Sequence, residues 1–312
     1  MTDVIAYFPG QGAQQVGMLT DLAEQYSEIR ETFQEASDAI GQDLWALASE
    51  GPAESLNLTY NTQPALLTAS TAVLRVLHSQ SDDMNIVAAA GHSLGEYSAL
   101  VAADAIDFAD AVKLVKKRGE LMDQAVPAGD GGMAAILNLD EAQIREVCEQ
   151  ASGHGVVEPA NFNAPGQIVI AGAMPAVEAA IPLAKEAGAK RAMKLVVSGP
   201  FHSSLMKAAA EELGQALNAI SWRQPKFPVY HNVDNAPAEQ HEIANKLLAQ
   251  LYSPVNWTGA VTASRPKANA AIEIGPGKVL AGLNKRIDKS LATYGTGDLK
   301  SLQAAVEIIQ GK

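Results

Sequence analysis

Cysteine is almost absent from this 312-residue sequence, which contains only Cys148. A single thiol excludes an internal disulfide and suits a reducing compartment, so we predict a cytoplasmic location. Ile144 and Val147 share helical spacing with Cys148, which indicates a buried structural thiol. Positive charge is also scarce, because 35 Asp and Glu outnumber 23 Lys and Arg, a formal net charge of -12. That balance disfavours nucleic acid and anionic membrane surfaces as partners.

Long apolar runs and metal-binding patterns are missing as well. No run of about eighteen apolar residues occurs, and a strand-like segment begins near the first residue, so we expect neither a membrane span nor a signal peptide. No pair of histidines or acids has metal-ligand spacing such as H-x-x-x-H, which predicts no metal site. With 47% hydrophobic residues, the chain can nevertheless bury a large core in one or two domains.

The most specific local pattern lies in residues 86–103. A short apolar run predicts a strand, the letters GHSLG follow at 91–95, and helix-favouring residues begin at Glu96. G-x-S-x-G between a strand and a helix is the nucleophile elbow, which holds the serine hydroxyl clear of the sheet. The amide after the serine, that of Leu94, can bind a developing oxyanion. We therefore predict Ser93 as a nucleophile; the alternative is a glycine-rich turn with an incidental serine.

A second loop has the position of a ligand-binding loop. The predicted strand Val4–Phe8 ends in Pro9-Gly10-Gln11-Gly12, at the carboxyl end where open α/β sheets bind ligands. A dinucleotide fingerprint would need a third glycine where Gln15 stands, so we exclude that interpretation. The loop can still present a backbone amide.

Arg118 is the unusual residue of a helix predicted over Phe108–Gln124. It shares the apolar stripe of that helix with Val115 and Met122. A guanidinium among apolar neighbours needs an anionic partner, because an unpaired buried charge is costly. An internal salt bridge or a stem that extends to water would satisfy it. The functional alternative is a clamp for a substrate carboxylate, which suits the planar fork of arginine.

The residues from 127 to 197 predict a separate unit. The expected elements are a strand, a helix, two strands, a helix and a strand, the β-α-β-β-α-β order of a ferredoxin-like unit. We therefore predict an α/β fold in which residues 1–126 and 198–312 form a large domain and residues 127–197 an inserted small domain.

A candidate base follows the last strand of that unit. His202 lies on the loop SGPFHSS, the kind of segment that carries catalysis, although a histidine that only caps a helix is the alternative. His92 is its rival within the elbow. Neighbouring side chains diverge on such a turn, so we expect His92 to be packed rather than catalytic.

Seven segments, in this order and over nearly the whole length, resemble the malonyl-CoA:acyl carrier protein transacylases of dissociated bacterial fatty acid synthesis. These segments are FPGQGAQ (8–14), NTQPAL (61–66), GHSLGEYSAL (91–100), NFNAPGQ (161–167), GPFH (199–202), QLYSPVNW (250–257) and EIGPGKVL (273–280).

The resemblance implies an α/β-hydrolase-like large domain with the inserted ferredoxin-like domain, and an active site in the cleft between them. It implies that Ser93 is the nucleophile, that His202 is its general base, and that the main-chain carbonyl of Gln250 orients the histidine in place of an acid. The amides of Gln11 and Leu94 then form the oxyanion hole.

The resemblance also implies how the acyl group is held. Arg118 matches the arginine that grips the malonyl carboxylate, and Asn161 and Asn163 match a small-domain motif that faces the cleft. Relatives that accept methylmalonyl units carry a smaller residue where this sequence has Phe201. We therefore predict a preference for malonyl over methylmalonyl groups.

The implied partners are malonyl-CoA and an acyl carrier protein, in a ping-pong acyl transfer that serves fatty acid biosynthesis and needs no cofactor. We expect a monomer. Carrier proteins of this pathway are acidic, so docking requires a basic rim, for which the candidates are Lys190, Arg191, Lys194, Lys285, Arg286 and Lys289. Three alternatives remain: malonyl loading in trans for a polyketide synthase, a serine thioesterase or hydrolase, and a scaffold subunit without catalysis.

Overall fold

The structure is a computed structural model that describes residues 1–311, so Lys312, the last residue of the predicted large domain, lies outside the described residues. The described strands, numbered in chain order, are β1 (Thr2–Phe8), β2 (Met84–Gly91), β3 (Gly131–Leu137), β4 (Val157–Ala164), β5 (Gln167–Ala173), β6 (Arg191–Lys194), β7 (Val229–Tyr230), β8 (Ala270–Glu273) and β9 (Ala292–Gly295).

Helices surround these strands. They are α1 (Thr20–Ala23), α2 (Ser27–Ile40), α3 (Leu44–Ser49), α4 (Ala53–Leu56), α5 (Thr59–Gln80), α6 (Gly95–Ala102), α7 (Phe108–Gln124), α8 (Glu141–Ala151), α9 (Met174–Glu186), α10 (Lys207–Asn218), α11 (Ile243–Tyr252), α12 (Trp257–Ser264), α13 (Val279–Ile287) and α14 (Leu299–Ile309). Among residues 1–311, no helix combines the length and the apolar character that a membrane crossing requires.

A five-stranded parallel sheet, in the order β7-β2-β1-β8-β9, forms the centre of the large unit. Its middle strand β1 is buried from Val4 to Phe8, as expected for a parallel strand covered on both faces. The register aligns Phe8 with Gly91, so β1 and β2 end side by side. The loop after β1 and the elbow after β2 are therefore neighbours.

The second sheet is antiparallel and has the order β4-β5-β3-β6, with α8 and α9 as its two helices. This arrangement confirms the predicted ferredoxin-like unit within an α/β fold. The unit has an apolar cluster of its own, which includes Ile136, Ile144, Ile170 and Val177. The domain boundaries near residues 127 and 197 stay predictions.

Backbone pairing joins the small unit to the large one. Phe162 N donates to Val255 O and Val255 N donates to Ala160 O, each at 2.9 Å, so β4 is bound to the segment just after α11. That segment follows Gln250, which lies near the end of α11. The small unit is thereby attached close to the residue predicted to orient the histidine.

The structure also corrects several predicted elements. Pro64 in the segment NTQPAL predicts a helix that begins at Thr62, but helix α5 begins at Thr59, so Pro64 lies inside it. The apolar pattern predicts a last strand of the small unit over Arg191–Val197, but that strand ends at Lys194. Sequence reasoning missed β9 and α12 altogether. β9 is a four-residue edge strand, and α12 contains a glycine and two threonines that weaken a helical pattern.

Candidate active site

The turn between β2 and α6 is built as a nucleophile elbow. Ser93 has a φ of 50°, in the left-handed region that non-glycine residues rarely adopt. A Cβ at Gly91 would overlap the backbone of Gly95, and a Cβ at Gly95 would overlap the carbonyl of Phe8. The glycines therefore allow the close approach that forces Ser93 into this conformation.

The Ser93 hydroxyl lies 2.7 Å from Nε2 of His202. On the other side of the ring, Nδ1 lies 2.9 Å from the backbone carbonyl of Gln250. A carbonyl only accepts, so the proton is on Nδ1 and Nε2 is free to accept from the serine. Burial, and then the positive charge of Arg118, lower the pKa of His202 to about 3. The imidazole is thus neutral at pH 7 and suited to act as a base.

Arg118 projects from α7 to the same point, and only 1% of it is exposed. Nη1 donates to Gln63 Oε1 at 2.8 Å, while Nη2 donates to Gln250 Oε1 at 2.9 Å and to Ser93 Oγ at 3.1 Å. No Asp or Glu within the described residues forms an ion pair with it. The guanidinium is therefore neither salt-bridged inside the protein nor extended to water.

Two backbone amides beside Ser93 are unused. Neither the Leu94 N–H nor the Gln11 N–H donates a hydrogen bond to any of residues 1–311. The amide of Ser93 itself donates to Asn232 Oδ1 at 2.8 Å. The free amides lie on the two adjacent loops that end β1 and β2, where they can stabilise an oxyanion on an acylated or attacked carbonyl.

These groups surround a cavity of about 190 Å³ between the two units. Its lining residues are Gln11, His92, Ser93, Leu94, Arg118, Met122, Met133, Asn161, Asn163, Val169, Leu195, Val197, Phe201 and His202. A second cavity of about 140 Å³ borders the first, because both are lined by Gln11, His92 and Asn163. It continues along α13, where Leu280 and Leu283 contribute its apolar wall.

His92 is packed, as the sequence predicts. Its Nε2 lies 2.8 Å from Asn163 Oδ1 and its ring centroid 5.9 Å from that of Trp257. These contacts hold it between the elbow and the small unit, and neither ring nitrogen forms a hydrogen bond with Ser93 or His202. Asn163 thus lines the cavity and also holds His92 in place.

The structure brings the predicted site residues together. Eight of them line the cavity: Gln11, Ser93, Leu94, Arg118, Asn161, Asn163, Phe201 and His202. Gln250 does not line it. It lies behind the pair, completely buried, where its backbone and side chain contact His202 and Arg118.

Sequence reasoning assigned no role to three residues that the structure places in the site: Gln63, Glu96 and Asn232. Gln63 and Glu96 lie inside segments that carry the family resemblance, and Glu96 is a carboxylate in an otherwise small and apolar helical segment. A carboxylate in such a segment indicates a functional or structural role for Glu96 and could have been noticed in the sequence. Asn232 lies outside every recognised segment and reaches the elbow only through the tertiary fold.

The model of the family described as "Acyl transferase domain" matches residues 7–300. The chain belongs to the acyl transferase family. Within it, the chain is 52% identical to the malonyl CoA-acyl carrier protein transacylase of Haemophilus influenzae over 304 residues, with 97% of each chain covered. It is 51% identical to the Escherichia coli protein of that name, with 99% of this chain and 100% of the other covered.

Solved structures of family members have the same fold. An acyl carrier protein S-malonyltransferase from Vibrio cholerae is 51% identical, with a TM-score of 0.93, over 98% of this chain and 100% of the other. A malonyl-transacylase solved in complex with a type II polyketide synthase acyl-carrier protein is 47% identical, with a TM-score of 0.96, over 99% of this chain and 100% of the other.

Proposed function

We propose that this protein transfers the malonyl group of malonyl-CoA to the pantetheine thiol of an acyl carrier protein through a malonyl-serine intermediate. The observation that carries this proposal is Arg118, a buried guanidinium that forms no ion pair with a carboxylate of residues 1–311 and whose Nη2 lies 3.1 Å from Ser93 Oγ. An esterase for neutral acyl groups has no use for a cation at that position. A malonyl group places a carboxylate within reach of it once the serine is acylated.

The first half of the reaction acylates Ser93. His202 Nε2 takes the hydroxyl proton while Oγ attacks the thioester carbonyl, and the amides of Leu94 and Gln11 stabilise the oxyanion. The carbon–sulfur bond then breaks, and the departing thiolate of CoA takes the proton back from His202. The carbonyl of Gln250 is a weaker partner for imidazolium than an aspartate, and a thiolate is a good leaving group that tolerates this.

The second half reverses these steps with a new thiol. The pantetheine thiol gives its proton to His202, its sulfur attacks the malonyl carbonyl, and the bond to Ser93 Oγ breaks as the proton returns to the serine. Binding of the malonyl carboxylate to Arg118 fixes the intermediate in the enclosed cavity and disfavours attack by water. In this scheme the protein acts as a monomer and without a cofactor.

Incubation with malonyl-CoA and intact-mass measurement tests the proposal. A malonyl adduct that persists until holo acyl carrier protein is added, and that Ser93→Ala does not form, supports the transferase. Immediate release of free malonate would identify a hydrolase. Absence of any reaction would identify a scaffold subunit.

Malonyl loading for a polyketide synthase is the second candidate. It is favoured by the similarity to the malonyl-transacylase solved with a polyketide carrier protein. The chemistry at Ser93 is the same in both cases, so only the carrier distinguishes them. Comparison of kcat/KM for a fatty acid and a polyketide carrier protein, with one malonyl-enzyme preparation, decides between the two.

Phe201 should set the choice between malonyl and methylmalonyl groups. Its ring is 5% exposed and lines the cavity directly before His202. Phe201→Ser removes most of that ring, so we expect the ratio of kcat/KM for methylmalonyl-CoA to kcat/KM for malonyl-CoA to rise by roughly tenfold, the range that one methyl group accounts for in an apolar pocket. An unchanged ratio would contradict this role. Phe227→Ser, a phenylalanine outside the cavity, is the control.

A basic rim should receive the acidic carrier protein. Arg286 donates to Gln167 Oε1 at 2.7 Å beside the second cavity, which leads from α13 towards Ser93. Lys194 is engaged with Glu178 at 2.9 Å. Lys190 and Arg191 are exposed and form no ion pair within residues 1–311, so their charge is available to a partner.

Charge reversal tests this rim. We expect Lys190→Glu with Arg191→Glu to raise KM for the carrier protein roughly tenfold, because two attractive charges become repulsive. Acylation by malonyl-CoA should change far less. Lys113→Glu with Lys117→Glu, on the exposed face of α7, is the matched control. Equal effects on both half-reactions, or an equal effect of the control pair, would rule the rim out.

A further inference from the structure

Glu96 is a carboxylate buried directly beneath the elbow, with no exposed surface. Oε1 lies 2.6 Å from His231 Nδ1, and Oε2 accepts from Asn232 N and from Gln250 Nε2, each at 2.9 Å. All three groups point hydrogen-bond donors at it, so the site is built for an acceptor. A carboxylate so far from water is costly unless donors such as these compensate it.

The amide of Gln250 connects this carboxylate to the reacting groups. Its Nε2 donates to Glu96 and to Ser93 O at 3.0 Å, while its Oε1 accepts from Arg118 Nη2 at 2.9 Å. A negative group on one side and a positive group on the other fix the orientation of the amide. The backbone carbonyl of the same residue holds His202.

We propose that Glu96 is a positioning residue for acyl transfer, which acts through Gln250 to orient both Arg118 and His202 and which supplies the negative charge that the histidine lacks. This inference rests on the proposed function. A serine–histidine pair with only a neutral carbonyl behind it has no anion to stabilise imidazolium, and here the cation of Arg118 is close by. Glu96 supplies a negative charge that compensates the cation of Arg118, and only the side-chain amide of Gln250 separates the two groups.

The side-chain amide of Gln250 keeps Glu96 out of direct contact with Arg118, and this separation matters for substrate binding. A carboxylate in direct contact with Arg118 would occupy the N–H groups that a malonyl carboxylate needs. Because Gln250 stands between them, Arg118 has a counter-charge and still offers its donors to the cavity. The charged or titratable groups around Glu96 are Arg118, His231 and His202, with Tyr97 next to the guanidinium.

Glu96→Gln removes the charge and can keep the shape. His231 Nε2 has no partner within the described residues, so the ring can move its proton there and accept at Nδ1 from the new amide. We expect kcat with malonyl-CoA to fall roughly tenfold or more, while KM for malonyl-CoA stays level or decreases because Arg118 is less neutralised. Labelling of Ser93 by phenylmethylsulfonyl fluoride, which has no carboxylate, should slow by a similar factor.

Two comparisons separate charge from structure. Glu273→Gln, at a carboxylate that is equally buried and caps α13, should leave both rates unchanged. Glu96→Asp and Glu96→Asn are matched in shape, and Glu96→Asp should retain the higher kcat. That pair also decides the question if Glu96→Gln does not fold.

The inference is overturned if Glu96→Gln keeps the wild-type kcat, if it raises KM alone, or if Glu96→Asn equals Glu96→Asp. A wild-type protein that forms no malonyl adduct would instead refute the proposed function. The two failures are therefore distinguishable with the same set of measurements.

Discussion

Replacing Arg118 with methionine should lower kcat/KM for malonyl-CoA by about a thousandfold, since loss of one partner from a buried charged pair costs on the order of 4 kcal/mol. The rate with acetyl-CoA, which has no carboxylate, should fall much less. Apolar side chains form much of the cavity wall around this point, including Met122 and Phe201. A carboxylate placed there without the guanidinium would be buried and unpaired.

Both substrates are measured with the same enzyme preparation, because the ratio of the two losses is the informative quantity. Lys117→Met is the control, since it removes a positive charge from the exposed side of the same helix. Equal losses for malonyl-CoA and acetyl-CoA would assign Arg118 a structural role and remove the main support for a malonyl transferase.

Removing the base should have an effect of similar size. His202→Gln should slow acylation of Ser93 by roughly a thousandfold, within the range general-base catalysis accounts for. His154→Gln, at an exposed histidine of the small unit, should change nothing. The rate of adduct formation in a single turnover measures this step without interference from the carrier protein. Retention of the wild-type rate would exclude His202 as the base.

The pH dependence of the same step follows from the environment of His202. Its pKa is lowered to about 3, so reaction of Ser93 with phenylmethylsulfonyl fluoride should stay level from about pH 8 to about pH 5. An apparent pKa close to 6.5 would contradict this. In Arg118→Met the pKa should rise, because one cause of the shift is gone, but burial should hold it below the ordinary value of about 6.5.

The stability of the folded protein should also depend on the lowered pKa of His202. The unfolded chain binds a proton at His202 below about pH 6.5, whereas the folded protein resists it down to about pH 3. The contribution of this group to folding is therefore complete above about pH 6.5 and decreases as the pH falls. His202→Gln should reduce the slope of the unfolding free energy against pH in that range.

Local patterns were sufficient for much of the fold. The apolar stripe of α7 predicted its residues from Phe108 to Gln124 without error, and the ferredoxin-like order of the small unit emerged from alternating strand and helix signals. β9 could not be found this way. Its four residues are stabilised by pairing with β8, a contact distant in sequence that leaves no periodic signal in a strand so short.

The candidate site, like the fold, was only partly predictable from the sequence. The glycine pattern of the elbow indicated Ser93, the loop after a strand indicated His202, and the apolar stripe of α7 indicated Arg118. Among their partners, the resemblance indicated only the carbonyl of Gln250, and Gln63, Glu96 and Asn232 were missed. Asn232 supports the elbow across 139 residues of sequence, and its amide could not be distinguished from a surface asparagine before the chain was folded.

The seam between the ends of β1 and β2 has a consequence for any redesign of this protein. His92 N donates to Phe8 O at 3.0 Å, and the bare backbone of Gly95 rests against the same carbonyl. The two free amides are therefore set at a fixed spacing when the sheet forms, before any acyl group arrives. A designer can vary acyl-group size at the cavity wall, but even one added methyl group on this seam would separate the halves of the oxyanion hole.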